Sequence, residues 1–198
     1  MAIIVDKDKK RRDIAAASTA LLLEKGFKNL TVTEIAKNAG IGKGTVYDYF
    51  SNKEEIVFEI IRTFIEEHHN YLLSHTDQET STKQKVLYLF DFFLSEYKSY
   101  EKHQDVYREY VSVSLSTKSK AMLEFNSECS VFIKSILENI IDEGIQKGEI
   151  KPIGKRLVDG LIKTERGYMI LAWAQGQNLK VEFKDYIDTL FELIEIKK

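Results

Sequence analysis

The sequence predicts an all-α protein of about nine helices, and three observations support this fold class. The 198-residue chain contains one proline, Pro152, and proline is the residue that most strongly breaks helices. Lys, Glu and Leu, which favour helices, are abundant. Apolar residues also recur at helical spacing in one segment after another. A chain of this length can bury the core of one ordinary domain, or of a small module attached to a larger one.

Composition favours a cytoplasmic protein with no membrane partner. The single cysteine, Cys129, cannot form an intrachain disulfide, which suits a reducing compartment. We interpret it as a small buried hydrophobe rather than a redox sensor. Charge begins at Asp6, so the apolar start of the chain is too short for the core of a signal peptide. The longest uncharged run, residues 167–179, is shorter than the ~18 apolar residues that indicate a membrane span.

The first helix is predicted from about residue 9 to residue 25. Its apolar residues follow spacings of three, four and one, which place them on a single stripe; they are Ile14, Ala17, Leu21 and Leu22. Gly26 is expected to end the helix as a C-terminal cap.

Two short helices are predicted next, at 32–39 and about 43–50. Thr31 and Glu34 match a capping box, in which the hydroxyl and the carboxylate each bind a free backbone N–H. Gly40 ends the first of these helices, because glycine tolerates the left-handed conformation of a tight reversal.

Longer helices are predicted over the rest of the chain. A second capping box at Ser51–Glu54 is expected to start the first of them, and the polar segment 76–82 is expected to form a loop. The predicted helices lie at about 52–74, 83–101, 104–115, 118–147, 155–175 and 182–196. Lys151–Gly154 and Gly176–Asn178 separate the last three.

The segment from Thr33 to Tyr47 has the pattern of a helix-turn-helix. Ala36 is small enough for two helices to cross closely, and Gly40 makes the turn. Ile41 and Val46 are expected to fill the corner between the helices. The pattern therefore predicts an N-terminal head of three helices.

A longer stretch carries a family resemblance. Residues Leu30–Ile56, LTVTEIAKNAGIGKGTVYDYFSNKEEI, closely resemble the signature of the TetR family of bacterial regulators. Gly26–Phe27 and the segment EGIQKGEI extend the resemblance loosely. It implies a DNA-binding helix-turn-helix domain at residues 1–52, joined to a helical effector-binding and dimerisation domain at 53–198.

Double-stranded operator DNA is the partner expected for the head. Residues 1–53 hold ten Lys/Arg and six Asp/Glu, a net charge of +4, whereas the remainder carries −6; the positive part suits a polyanion, although such an excess also occurs on ordinary solvated surfaces. The residues expected to contact DNA are Thr33, Lys43, Gly44, Thr45, Tyr47, Tyr49 and Lys53.

The roles expected for these residues follow partly from their own chemistry and partly from the family resemblance. Lys43, Gly44 and Thr45 place a cation, a bare backbone and a hydroxyl at a helix start, where unpaired N–H groups favour phosphate. The resemblance implies phosphate contacts for the two tyrosines, and the alternative for Tyr47 is a packed core ring. It places Phe50 in the core.

The head departs from the family pattern at two positions. Gly42 replaces the serine that often caps the third helix, and is a weaker cap. Asp48 lies between the two tyrosines, where it either faces a cytosine amino group in the groove or points away from the DNA, which we favour. The basic cluster at residues 7–12 either reaches a flanking phosphate or is a solvated helix start.

The larger C-terminal part is rich in rings, most of which are expected to be core. The resemblance implies a cavity for a small effector among the middle helices, and tyrosines there suit a small, largely apolar molecule. The expected effector-binding residues are Phe92, Tyr107, Phe125 and Tyr168. A metal site is disfavoured, because Leu72 occupies the position between His68 and His75 where a second ligand would stand, and no cofactor is expected.

Apolar residues on the last two helices exceed what one small body requires. The resemblance implies that these helices form a homodimer as a four-helix bundle. The function expected from these features is a transcriptional repressor released from its operator by a small molecule. The alternative is a helix-turn-helix co-regulator that acts mainly through a protein partner. No residue pattern supports an enzyme.

Overall fold

The computed structural model describes residues 6–96, 98–117 and 119–197, and these residues form an all-α fold, as predicted. The first five residues, on which the signal-peptide expectation rests, lie outside them. The described part contains ten α-helices: α1 (Lys7–Asn29), α2 (Val32–Asn38), α3 (Lys43–Tyr47), α4 (Lys53–His75), α5 (Thr82–Leu89), α6 (Asp91–Leu94), α7 (Lys98–Ser116), α8 (Lys120–Gln146), α9 (Val158–Gln175) and α10 (Lys180–Ile194). A short 3₁₀ helix, Pro152–Leu157, precedes α9.

Helix α1 begins two residues earlier than predicted. The Asp6 carboxylate accepts hydrogen bonds from the backbone N–H groups of Asp8 (3.1 Å) and Lys9 (3.0 Å), which satisfies donors that a helix start leaves free. The regular helix is interrupted at Gly26, which has φ 71° and ψ 162°. The predicted glycine stop is confirmed, with one further helical turn beyond it.

The capping box at the start of α2 is also confirmed. The Thr31 hydroxyl accepts from the N–H of Glu34 (3.3 Å), and the Glu34 carboxylate accepts from the N–H of Thr31 (3.2 Å). Gly40 makes the reversal with φ 66°.

Helix α3 is shorter than predicted, and the second capping box was placed one residue too early. The chain after Tyr47 tightens into a turn in which Phe50 donates its N–H to the carbonyl of Val46 (2.9 Å). Asn52, rather than Ser51, then caps α4 by accepting from the N–H of Glu55 (3.0 Å). The tight turn brings Phe50 into the core, where it is 1% exposed.

The single helix predicted at 83–101 is wrong, because the chain there forms α5, α6 and an extended break at Ser95 (φ −67°, ψ 145°). Tertiary packing overrides the helical pattern. The Phe90 and Phe93 rings lie 5.4 and 5.8 Å from the Phe183 ring of α10. The ammonium of Lys180 binds the Ser95 carbonyl oxygen at 2.5 Å, which satisfies an acceptor that the break leaves free.

The chain folds into two compact units. The first comprises the chain up to Glu67 together with Glu101–Asn126; the second comprises His68–Tyr100 and Ser127–Lys198. Buried apolar side chains fill each core, including Leu22, Ile35, Val46 and Ile56 in the first unit and Leu137, Ile141, Phe183, Ile187 and Phe191 in the second. Helix α7 is therefore grouped with the N-terminal helices by its packing, and the functional division at residue 52 stays a prediction.

In the second unit, backbone hydrogen bonds join the segment after α8 to the residues at the end of α10. The N–H of Lys151 donates to the carbonyl of Ile194 (2.8 Å), and that of Ile196 donates to Glu149 (2.9 Å). The Glu149 carboxylate in turn accepts from the backbone and hydroxyl of Thr82, at 2.7 and 2.6 Å. Within the described part of the chain, no helix combines the length and the apolar character needed to cross a membrane.

Candidate nucleic-acid interface

Helix α3 buries one side chain and exposes most of the others. Val46 is completely buried, whereas Lys43 and Gly44 are exposed and Thr45 is half-buried. Among the residues that the structure describes, Lys43 forms no hydrogen bond or ion pair, so its ammonium is available for a ligand. This helix therefore presents a cation, a bare backbone and a hydroxyl on one short surface.

The two aromatic residues that end this segment have opposite environments. Tyr47 is 50% exposed, which excludes the alternative of a packed core ring. Phe50 is buried, as the resemblance implied. Tyr49 lies between these extremes, half-buried, and its backbone carbonyl accepts a hydrogen bond from Arg11.

Helix α2 adds a second cation that the sequence reasoning missed. Thr33 is exposed, as a DNA contact requires, and Lys37 four residues later is exposed as well. Residues four apart in a helix are neighbours on one face. Spacing from Thr33 is the signal that could have identified Lys37.

Lys53 has a structural role that its sequence position did not reveal. Its ammonium donates to the backbone carbonyls of Phe27 (2.9 Å), Lys28 (3.0 Å) and Leu30 (3.2 Å). It also lies 4.7 Å from the centre of the Phe27 ring. An ammonium has three N–H donors, so a DNA contact by Lys53 would require one of these bonds to be given up.

Arg11, in the basic cluster of α1, is likewise engaged within the protein. Its Nε and Nη2 atoms each lie 3.2 Å from one carboxylate oxygen of Glu59, which is 8% exposed. The guanidinium stacks over the Phe50 ring at 4.3 Å and donates to the Tyr49 carbonyl. Arg11 therefore fixes the chain that follows α3, and the two alternatives stay open only for the other cations of the cluster.

Both departures from the family pattern are visible at α3. Gly42 caps the helix with no side-chain hydrogen bond. Asp48 is exposed at the C-terminal cap, where its N–H donates to the carbonyls of Gly44 (3.1 Å) and Thr45 (3.2 Å). Its side chain is exposed, as is that of the preceding Tyr47, and both readings of its role remain predictions.

The four expected effector-binding residues are divided between the two units. Tyr107 and Phe125 belong to the first, where Phe125 is 4% exposed and stacks on Phe58 at 4.4 Å. Phe92 and Tyr168 belong to the second. Effector binding by these residues stays a prediction. Tyr97, another ring of this region, lies outside the described residues.

In the second unit, the His68 ring is hydrogen-bonded to Tyr100 and is surrounded by the rings of Tyr71, Phe92 and Tyr100. His68 Nε2 lies 2.8 Å from the Leu89 carbonyl oxygen, and its Nδ1 lies 3.2 Å from the Tyr100 hydroxyl. Burial lowers the pKa of His68, and it raises the pKa of the neighbouring Asp91 carboxyl. Burial, with the charge of Asp91, also raises the pKa of Tyr100 to about 12. These bonds tie His68 to Leu89 and Tyr100, which gives it a structural role within the unit.

The N-terminal segment matches a described protein family. Residues 14–60, which contain α2, α3 and the first part of α4, match the profile of "Bacterial regulatory proteins, tetR family". The match covers the surface of Lys43 and Tyr47 and the core positions beneath it.

Comparisons over most of the chain find similar proteins that are transcription regulators. The chain is 26% identical to the HTH-type transcriptional regulator YhgD of Bacillus subtilis (strain 168), over 95% of each chain. It is 26% identical to the Fatty acid metabolism regulator protein of the same organism, over 73% of each chain. Its fold is similar to that of a TetR transcription regulator from Haloarcula marismortui, with a TM-score of 0.77, 15% identity, and 95% and 99% of the two chains covered.

Proposed function

Because the chain belongs to the TetR family of bacterial transcription regulators, we propose that it represses transcription by binding operator DNA through α2 and α3. The relatives it matches are regulators and not enzymes. The observation that carries the proposal is the exposed cation of Lys43, which has no partner among the described residues and lies beside the half-exposed Tyr47 and the buried Val46.

The proposed contacts divide by chemistry. Lys43 supplies a charge and Tyr47 a hydroxyl for phosphate oxygens, which determine affinity and register. Gly44 adds no side chain, and no described residue lies within 4 Å of the position that a Cβ would take, so the backbone can approach the duplex closely. Thr33, Thr45 and Tyr49 complete the set, and Lys37 extends it along α2.

Regulators of this family bind DNA as dimers, and we place the interface on α9 and α10. One face of α10, including Phe183 and Phe191, is buried within its own unit. Other apolar side chains remain exposed: Ile170 (45%) and Leu171 (48%) on α9 and Leu193 (65%) on α10. A second copy that covers these residues would bury them in a self-complementary interface.

The effector is proposed to be a small, largely apolar molecule that releases the operator. Two relatives support this chemistry through their names: the Fatty acid metabolism regulator protein, and KstR2 of Mycobacterium tuberculosis, described as a ketosteroid transcriptional regulator. The ring-rich packing around Phe125, where Phe58 and Tyr110 lie 4.4 and 5.9 Å away, suits an apolar ligand. We also propose a cytoplasmic location, where operator DNA is accessible.

Selection of bound sequences from a random pool of duplex DNA tests the proposed function. The full-length protein should enrich a palindromic sequence, because a two-fold dimer reads two equal half-sites. Affinity for the enriched duplex should fall steeply as salt rises, since each neutralised phosphate releases counterions. Enrichment of no sequence, or an affinity independent of salt, would favour the co-regulator that works through a protein partner.

A further inference from the structure

The last turn of α1 after its interruption at Gly26, together with the capping residue Leu30, leads into α2; this segment, residues 26–30, is held by side chains from two other helices. Lys53, the first residue of α4, binds three of its carbonyl oxygens. Glu109 of α7 binds a donor of the same segment: one of its carboxylate oxygens accepts a hydrogen bond from the backbone N–H of Phe27 at 2.7 Å. The turn therefore has an ammonium on its acceptors and a carboxylate on a donor.

The carboxylate of Glu109 lies directly against the backbone of this turn. A Cβ atom added at Gly26 would stand 3.1 Å from the same oxygen, Oε1, of Glu109. Gly26 thus leaves space for the carboxylate in addition to adopting its positive φ. Hydrogen bonds to charged acceptors are shorter and stronger than neutral ones, so this contact is a specific anchor.

The anchored turn leads without interruption into the helix-turn-helix. Leu30, at its end, is 1% exposed, and Thr31 is the cap of α2. The position of α2 therefore depends on the conformation of residues 26–30. Helix α3 follows α2 through the reversal at Gly40, so an error in the turn would shift the surface of Lys43 and Tyr47.

We infer that Glu109 is a positioning residue through which α7 supports DNA binding, because its carboxylate fixes the turn that enters the helix-turn-helix. The inference rests on the proposed function. According to this inference, α7 influences the position of Lys43 and Tyr47 through residues 26–30, and this influence does not require α4.

The test compares substitutions of Glu109 in the full-length protein, with the enriched operator duplex as the probe. Glu109→Ala removes the acceptor and should lower operator affinity about ten-fold, the effect of leaving one donor unsatisfied. Glu109→Gln keeps an acceptor oxygen at the same reach and should restore affinity to within about two-fold. Glu109→Asp keeps the charge but is one methylene shorter, and should resemble Glu109→Ala. Glu101→Ala removes an exposed carboxylate from the same helix and serves as the matched control.

Hydrogen exchange of the peptide that contains Phe27 gives a readout without DNA. Exchange should be faster in Glu109→Ala than in the wild-type protein or in Glu109→Gln, because Phe27 loses its acceptor. Wild-type affinity in Glu109→Ala, or an equal loss in Glu109→Gln, would overturn the inference. If the wild-type protein enriched no DNA sequence, the proposed function would fail, and the exchange comparison alone would still decide whether Glu109 holds the turn.

Discussion

The exposed face of α3 and the turn at residues 26–30 both use lysines of the family signature, and they use them in opposite ways. Lys43 is exposed and unpaired among the described residues, whereas all three donors of Lys53 bind backbone carbonyls. The same residue type in one motif is therefore either left exposed on the surface or used to hold the protein together. The difference lies in the available acceptors, which only the folded chain reveals.

The largest effect on DNA binding is expected when the proposed dimer is separated into monomers. Each molecule would then contact one half-site of the operator instead of two. The substitution Leu193→Glu places a charge on the proposed interface in both protomers and should give monomers. Operator affinity should fall about 100-fold or more, since the second contact is no longer intramolecular. Sedimentation and DNA titration measure the two effects.

A control for this prediction is available on the same helix. Val181 is 66% exposed, and twelve residues of helix place it about 120° around the helix from Leu193; Val181→Glu should leave the dimer intact. A wild-type protein that is monomeric at micromolar concentration and still binds a palindrome tightly would contradict the proposed interface.

Removal of the exposed cation should weaken binding and leave the fold unchanged. Lys43→Ala is expected to cost about 1 to 3 kcal/mol of operator binding and to lower the salt slope by about one, as for one phosphate contact. The free energy of unfolding should change by less than about 0.5 kcal/mol, because the side chain has no partner in the part of the chain that the structure describes. Unchanged affinity at ~150 mM salt would remove Lys43 from the interface.

For Lys53, in contrast to Lys43, we expect a substitution to lower the stability of the fold and to leave the salt dependence of DNA binding unchanged. Lys53→Ala should lower the free energy of unfolding by about 1 to 2 kcal/mol, since three carbonyls lose a charged donor. The salt slope of DNA binding should stay at its wild-type value. Lys53→Met keeps most of the aliphatic stem over Phe27, so comparing this variant with the wild-type protein isolates the ammonium, and comparing it with Lys53→Ala isolates the stem. A salt slope reduced by one would show that Lys53 contacts phosphate in the complex.

Local signals predicted the parts of the head that depend on neighbouring residues. Thr31 and Glu34 form their capping box, Gly26 interrupts α1, and Val46 and Phe50 are buried, because each depends on a few residues of sequence. The Phe27–Glu109 bond joins residues 82 positions apart, and no local pattern indicates it.

The same reason explains the errors in the second unit. Its break at Ser95 depends on Phe183 and Lys180, which come far later in the chain. Helix propensity is a weak prior where long-range packing of this kind competes with it. The effector-binding residues were chosen as rings at helical spacing, a pattern that core residues share, so their division between two units could not be foreseen.

A smaller effect on affinity is expected at the exposed tyrosine. Tyr47→Phe removes one hydroxyl and keeps the ring, and should cost about 1 kcal/mol of operator binding. Because Tyr47 is half exposed and buries little in the core, the thermal unfolding midpoint should not change. An equal loss of affinity and of unfolding free energy would mean that the hydroxyl serves the fold instead of the DNA.

The smallest effect is expected at Asp48, where the two readings of the carboxylate predict different kinds of change. If Asp48 points away from the DNA, Asp48→Asn removes a negative charge near the duplex. Affinity should then rise slightly and equally for all sequences, by less than about 0.5 kcal/mol, because solvent and salt screen an exposed charge. If the carboxylate accepts from a cytosine amino group, the substitution should relax the preference at one base pair and cost about 1 to 3 kcal/mol on the enriched operator alone. Titration of the operator beside variants substituted at single base pairs separates these outcomes, and we expect the uniform gain.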